Sequence, residues 1–413
     1  MACRHNPLIS LPQEITLNIF SRLPAESVLD CKQVCRSWKN LLLFDDDNFF
    51  AYQHLQRRHG HGPHTTGFVA FDRDAQDFWY LEYHDEDNGI NDKQPNYRSK
   101  MINIKFPADV CGGLVGSDNG LICLSVKTKY NGIPAYKFQL VDSPDEPLYI
   151  CNPITREFVN LPRILIDEKK SEDDVHIVHG FGYHPLINEY KVVRVSYIGS
   201  ANKLTPRRGL VEIYTLGSGS GWRYAGETDY YLGSDYFANP GGVCVNGRLH
   251  WLSDEFQDIV AFDLVDEKFQ LLRTPTAQNR CPRRIFVAGH CLCIEYIIGD
   301  SLRYSLLKKN KEEDNGSSCH MNEQRYYKSW SWNTEVEMPF EVLCEVRSEI
   351  CSITKMGKIL LTDGREVDPY SREVLEFIGS CNFDFDWKVP LPHTNTFVSL
   401  EALGETNIKR FEL

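Results

Sequence analysis

The chain has 413 residues and a formal net charge of −12. A negative field of this size disfavours nonspecific binding to the phosphate backbone, so nucleic acid is not an expected partner. The length predicts two or three folded units, and the composition, 42% hydrophobic and 25% charged, is typical of a folded soluble protein. We find neither a signal peptide nor an apolar run suited to a membrane span, so we expect 14 reduced cysteines in the cytoplasm and/or nucleus.

The first fifty residues have the apolar spacing of helices. Ile15, Ile19 and Leu23 recur every four residues, with Pro12 near the start of the first predicted helix. Pro24 ends that helix, and a second apolar set follows at spacings of three or four: Val28, Cys31, Cys35, Trp38 and Leu42. A unit this small is below the roughly 70 to 80 residues that one core needs, so part of its apolar face requires another surface.

After Gly67 the pattern changes to short strands and turns, with two recurring pieces. The first is a glycine turn before an apolar strand, as at Asn119-Gly120, Asn246-Gly247 and Met356-Gly357. The second is a strand, a polar turn and a strand, beginning near Asn152, Asp263 and Asp368. A unit of about 50 residues predicts a β-propeller of four-stranded blades, six in number, with five or seven as alternatives. We expect Thr396–Leu400 to pair with the first sheet around 67–71 and close the ring.

Two stretches carry a family resemblance. Leu11-Pro12-Gln13-Glu14-Ile15, Leu23-Pro24 and Val34-Cys35-Arg36-Ser37-Trp38 resemble the F-box, a small helical module. The runs 150–155, 179–184 and 246–252 resemble the F-box-associated domain of plant F-box proteins. We therefore divide the chain into an F-box at 8–50, a linker at 51–66, a kelch-like β-propeller at 67–403 and a C-terminal tail at 404–413. The glycines and proline of 59–64 are expected to break any helix in the linker.

The resemblance implies a substrate-recognition subunit of an SCF-type ubiquitin ligase. The F-box of such a protein binds a Skp-family adaptor, and through it cullin, while the second domain captures a protein substrate for ubiquitination. It has no catalytic residues of its own. Asp30 and Cys31 depart from the family's usual residue types. Carried over by position, the adaptor contacts are Leu11, Pro12, Ile15, Leu23, Pro24, Ser27, Val34, Cys35 and Trp38.

Other chemistry receives weaker support from the sequence. Arg207, Arg208, Arg283 and Arg284 adjoin prolines and could hold an acidic or phosphorylated substrate segment, although solvated loop charge explains them more simply. Cys31, Cys35 and His54 lack zinc-finger spacing, so we expect no metal or cofactor. No serine has the G-x-S-x-G surroundings of a hydrolase nucleophile. Two alternatives stay open: a propeller enzyme or carbohydrate-binding module with an incidental helical cap, and an F-box scaffold that acts outside a ligase.

Overall fold

The computed structural model describes most of both predicted regions. The described residues are 11–43, 49–61, 65–72, 77–84, 97–102, 114–125, 148–164, 175–198, 208–232, 241–253, 258–275, 281–288, 290–299, 301–310, 330–339, 350–353, 359–361, 366–367 and 391–411. Helices come first and strands follow, as the sequence predicted. None of the helices in these ranges is both long and apolar enough to cross a membrane.

Four helices form the N-terminal module: α1 Gln13–Phe20, α2 Ala25–Val34, α3 Arg36–Leu43 and α4 Phe49–His61. Pro12 and Pro24 each stand directly before a helix, where a missing N–H costs nothing. The buried side chains of Phe20, Val28 and Leu42 make the centre of the module.

Helix α4 differs from the expectation of a linker in which glycines break any helix. Phe50, His54 and Leu55 are buried on it, so tertiary packing stabilises a helix that intrinsic propensity alone would not. Gly60 falls in the last turn, where a poor helix former does least harm.

The remainder is built from strands joined as antiparallel meanders. Their bounds are β1 Thr65–Asp72, β2 Asp77–His84, β3 Tyr97–Ile102, β4 Leu114–Asp118, β5 Leu121–Leu124, β6 Tyr149–Cys151, β7 Glu157–Asn160, β8 Val175–His184, β9 Glu189–Ile198, β10 Gly209–Thr215, β11 Trp222–Thr228, β12 Gly241–Val245, β13 Arg248–Leu252, β14 Asp258–Asp263, β15 Phe269–Arg273, β16 Cys281–Ala288, β17 Cys291–Ile298, β18 Ser301–Lys309, β19 Trp330–Pro339, β20 Ile350–Ile353, β21 Ile359–Leu361, β22 Glu366–Val367, β23 Leu391–Pro392 and β24 Lys409–Arg410.

The described strands form sheets in the orders β23-β1-β2-β3, β24-β7-β6-β5-β4, β11-β10-β9-β8-β12-β13-β14-β15, β16-β17-β18-β19 and β20-β21-β22. The longest of these joins two meanders through a parallel contact of β8 with β12 at His179 and Gly241. Strand β4 runs in the same direction as β8. Two contacts in register indicate this direction: Gly116 abuts Phe181, and two residues later in both strands the Tyr183 amide donates to Asp118 Oδ2 at 2.9 Å.

Both recurring turns predicted from the sequence are present. Asn119-Gly120 joins β4 to β5 and Asn246-Gly247 joins β12 to β13, all four with positive φ as a two-residue hairpin turn requires. In the polar turns, the side-chain oxygens of Asn152 and Asp263 accept the amide two residues later, each at 2.8 Å. The two polar turns thus share the same Asx-turn geometry. Met356-Gly357 and Asp368, the third predicted copy of each turn, lie outside the described residues.

The C-terminal strand was predicted too late in the chain. Leu391–Pro392, rather than Thr396–Leu400, pairs with β1 at Phe68 and Val69. The later residues cannot join a ladder there, because the Thr396 carbonyl accepts the Asn152 side-chain amide at 3.1 Å. Within the predicted tail, Lys409–Arg410 pairs with β7 and Phe411 stacks on Phe158 with 4.5 Å between ring centroids.

Two tryptophans connect neighbouring meanders in the same way. Trp222 at the start of β11 donates to the Pro162 carbonyl, just after β7, at 2.8 Å. Trp332 in β19 donates to the Arg273 carbonyl at the end of β15 at 2.9 Å. In both cases the fourth strand of one meander is fastened to the end of the fourth strand of the one before it.

Candidate protein-interaction surface

Three large aliphatic side chains of the helical module face solvent. Ile15 and Ile19 lie one turn apart on α1 and are 48% and 40% exposed, while Val34 at the end of α2 is 61% exposed. We call these three residues the exposed aliphatic set. Single exposed aliphatic residues are ordinary in proteins, but several on one small module, two of them on the same face of α1, favour a protein-binding surface.

The other residues predicted to contact an adaptor divide into two groups. Pro12 is exposed, whereas Leu11, Leu23, Pro24, Ser27, Cys35 and Trp38 are half-buried. Trp38 packs edge-on against Phe20 at 5.0 Å, and its amide donates to Cys35 Sγ at 3.5 Å. Leu23 and Trp38 therefore also support the core of the module. The predicted contact of these nine residues with an adaptor stays a prediction.

Two exposed apolar residues were not among the predicted contacts. Ile19 continues the four-residue spacing that starts at Ile15, so the helical periodicity could have identified it. Tyr52 is 57% exposed on α4, within the segment predicted as a linker. Only the presence of that helix reveals Tyr52 as a surface residue of the module.

Another part of the module's surface is covered by the β domain. Phe397, from the segment after β23, is buried in one cluster with Phe20, Val28 and Phe50. Its ring lies 5.2 Å from Lys32 Nζ, and burial lowers the pKa of that ammonium group. The module thus has one face against its own chain and another bearing the exposed aliphatic set.

Helix α4 belongs to the module rather than to a tether. A ring nitrogen of His54, Nε2, donates to the Leu23 carbonyl at 2.9 Å. The Arg57 guanidinium donates to the Asn18 carbonyl at 2.8 Å. These two bonds fasten α4 to the end of α1 and to the turn that follows it.

Of the arginines predicted to bind substrate, Arg208 directly precedes β10, whereas Arg283 and Arg284 lie in β16. Arg208 is 68% exposed and pairs with Glu227 at 3.3 Å and Asp229 at 3.2 Å. Arg283 and Arg284 both pair with buried Glu295, at 3.0 and 3.1 Å, in a different sheet. Arg284 is itself buried, which gives it a structural role there. Arg207 lies outside the described residues, and the substrate-binding role of the four stays a prediction.

Among the described residues, no group of three or more His, Cys, Asp or Glu side chains is arranged to hold a metal ion. Cys31 and Cys35, considered for zinc, are half-buried free thiols on the helical module. Burial raises the pKa of the Cys31 thiol, and the nearby carboxylate of Asp30 raises it further. A thiol whose pKa is raised is present less often as the nucleophilic thiolate at neutral pH.

Comparison with protein families gives two matches in the expected order. The model described as "F-box-like" matches residues 8–50, and that of the "F-box associated beta propeller domain" matches residues 68–363. The chain belongs to the F-box proteins with an F-box-associated β-propeller domain. The resemblance inferred from the sequence is thereby confirmed.

Curated relatives are plant F-box proteins. F-box protein At3g07870 of Arabidopsis thaliana is 28% identical over 69% of this chain and 66% of its own length. F-box protein CPR1 of the same plant is 26% identical over 70% of this chain and 66% of its own length. The alignments thus span just under two thirds of these relatives. A chain of the nidogen–laminin complex overlaps 58% of this chain with a TM-score of only 0.26 at 11% identity.

Proposed function

We propose that this F-box protein is a substrate-recognition subunit of an SCF-type ubiquitin ligase. Its F-box would bind a Skp-family adaptor, and through it cullin, while the β domain captures a protein substrate. The observation that carries this proposal is the exposed aliphatic set, Ile15, Ile19 and Val34, on a module whose other face is already packed against the β domain.

This surface would supply part of the free energy of binding a partner helix. Fully burying an aliphatic side chain contributes about 1.5–3 kcal/mol, and these three side chains are roughly half exposed, so each could contribute about 1 kcal/mol. The half-buried Leu11, Leu23 and Trp38 would add contact area around them. An interface of this kind matches the recognition of a groove by an amphipathic helix.

In this proposal the chain carries out no chemistry itself. It holds a substrate near a ubiquitin carrier supplied by other subunits and so raises the effective concentration of the substrate's lysines. We place it in the cytoplasm and/or nucleus. We also propose six blades, which is supported by six antiparallel groups among the described strands: β23 with β1–β3, β4–β7, β8–β11, β12–β15, β16–β19 and β20–β22.

The adaptor contact can be tested by calorimetry with a purified Skp-family adaptor. We expect the double substitution Ile15→Asp and Val34→Asp to weaken binding at least tenfold, because each carboxylate would have to lose its water in the interface. Leu186→Asp is the matched control, since Leu186 is 86% exposed on the turn after β8 and lies outside the helical module.

Equal affinity of the double variant and the wild-type chain would contradict the proposed contact. Recruitment of cullin to the wild-type complex distinguishes a ligase subunit from a scaffold that binds the adaptor alone.

A further inference from the structure

The segment His393–Phe397, which we call the clasp, lies between the β domain and the helical module. It follows β23 and is buried at His393, Asn395, Thr396 and Phe397. The clasp contacts both the β domain and the helical module.

A directed chain of hydrogen bonds runs through the clasp. The Ser117 hydroxyl in β4 donates to His393 Nδ1 at 2.8 Å, and His393 Nε2 donates to Asn395 Oδ1 at 3.0 Å. The amide nitrogen of Asn395 then donates to the carboxylate of Glu26 in α2. The directions are fixed because a carbonyl or carboxylate oxygen can only accept. The chain of hydrogen bonds therefore connects strand β4 of the β domain to helix α2 of the helical module.

The clasp is held to the β domain by two turns. The side-chain amide of Asn152, in the turn before β7, donates to the Thr396 carbonyl at 3.1 Å and the Val398 carbonyl at 2.6 Å. The Thr396 hydroxyl donates to the Asn119 carbonyl, in the turn after β4, at 3.0 Å. Phe397 is thereby presented to the helices from a backbone that is fixed on both sides.

The contact of Phe397 with the helices is extensive. Its ring centroid lies 5.5 Å from that of Phe50 and 5.2 Å from that of His54, both on α4, and Lys32 of α2 covers it. Ile154, from the turn before β7, packs against the same cluster. A side chain from the C-terminal part of the protein thus completes the core of the N-terminal module.

We infer that the clasp is the positioning element of this receptor and that Phe397 is its principal positioning residue. The inference rests on the proposed function: a substrate held on the β domain then meets the ubiquitin carrier at one distance and orientation. A flexible connection would spread the substrate's lysines over a larger volume and lower their effective concentration. Phe397 would act on transfer without touching either partner.

The test compares Phe397→Ala with Phe411→Ala in the full-length chain bound to the adaptor. Phe411 is a matched control because it is also buried in the C-terminal segment, but it stacks on Phe158 of β7 and not on the helices. Small-angle scattering reports the separation of the two units, and ubiquitin transfer to the receptor's own lysines in a reconstituted ligase reports the geometry.

For Phe397→Ala we expect a larger maximum dimension and a broader set of modified lysines, with adaptor affinity changed less than threefold. Phe397→Leu should restore both readouts, since it keeps most of the apolar volume. Phe411→Ala should leave both as in the wild-type chain. The same dimension and the same lysines in wild type and Phe397→Ala would overturn the inference. Failure of the wild-type chain to bind adaptor would overturn the proposed function instead, while scattering from the free chain would still test the clasp.

Discussion

His250 and His393 are buried, and burial lowers the pKa of each to about 4. Each ring is used in its neutral form: His250 Nδ1 donates to the Val243 carbonyl at 3.1 Å, and His393 Nδ1 accepts the Ser117 hydroxyl. In the unfolded chain both would bind a proton near pH 6.5. Their contribution to stability is therefore complete above about pH 6.5 and is lost as the pH falls towards 4.

We expect His393→Asn to reduce the loss of stability between pH 7 and pH 5 by roughly 2 kcal/mol. The histidine loses stability only over the roughly 1.5 pH units from 6.5 to 5, at about 1.4 kcal/mol per unit. Denaturant unfolding at each pH measures this slope. Burial raises the pKa of Asp118 to about 6, so its contribution to stability increases as the pH falls. This contribution is the same in the wild-type chain and in His393→Asn and therefore cancels in the comparison. His290→Asn, at an exposed site, is the control. An identical slope for wild type and His393→Asn would contradict the assignment.

Gly120 illustrates what sequence can and cannot reveal about a single residue. The Asn119-Gly120 pair predicts a hairpin, and its φ of +86° favours glycine. The sequence gives no sign that a Cβ there would lie 1.9 Å from Thr396 Oγ1 in the clasp. We expect Gly120→Ala to lower the free energy of unfolding by more than about 2 kcal/mol, through strain and clash together.

Gly219→Ala separates the two causes. Gly219 also has a positive φ, +67°, but apart from its chain neighbours no atom of the described residues lies within 4 Å of the point that a Cβ would occupy there. Thermal or denaturant unfolding should therefore show a loss of only about 1 kcal/mol for this substitution. Equal losses at the two glycines would show that the approach of Thr396 is unimportant.

At the scale of helices and strands, local patterns were sufficient where the decisive contacts are local. The spacing of apolar residues predicted α1 and α2, and the Asx turns at Asn152 and Asp263 follow from residue type. Helix α4 and the closing strand β23 were missed because distant partners decide them: Phe397 packs on α4, and Phe68 pairs with Pro392. The residues of the candidate site also divide into those that a local pattern predicts and those that only the folded structure reveals.

Ile15 and Val34 were predicted from an F-box motif, whereas Tyr52 became visible only with α4. The four arginines were chosen from neighbouring prolines, which say nothing about ion pairing across a sheet. Arg284 is buried against Glu295 of the neighbouring strand, and no local sequence pattern predicts this ion pair.

The repeated tryptophan contacts belong to the same scale. We expect Trp222→Phe to lower the free energy of unfolding by about 0.5 to 1 kcal/mol, because the exposed Pro162 carbonyl loses its donor while the packing area largely remains. Trp332→Phe, which frees the Arg273 carbonyl, should have a similar effect. Tyr224→Phe, at an exposed site next to Trp222 on β11, is the control. The same free energy of unfolding in urea for all three variants and the wild-type chain would show that the two tryptophan hydrogen bonds do not stabilise the β domain.

For the whole molecule, strand direction decides which end of the β domain meets the helical module. Strands β4, β8 and β12 run the same way, and β6 is parallel to β4 because both pair antiparallel with β5. The turns after β4 and β6 are therefore at one end of the domain. Asn119 and Asn152 hold the clasp at that end, and Ile154 touches the helices there.

The connections at the two ends of the β domain differ in length and in what they contact. At the end that carries the F-box, β4 is joined to β5 by two residues and β6 to β7 by five, and each connection provides a hydrogen-bond partner for the clasp. At the other end, β5 is joined to β6 by 24 residues and β9 to β10 by ten, and these connections leave from points remote from the clasp. Insertions and deletions can therefore accumulate at that end without disturbing how the F-box is mounted. In the proposed function, a change in the length or composition of these longer connections would alter which substrate the β domain binds, while the contacts that hold the F-box stay the same.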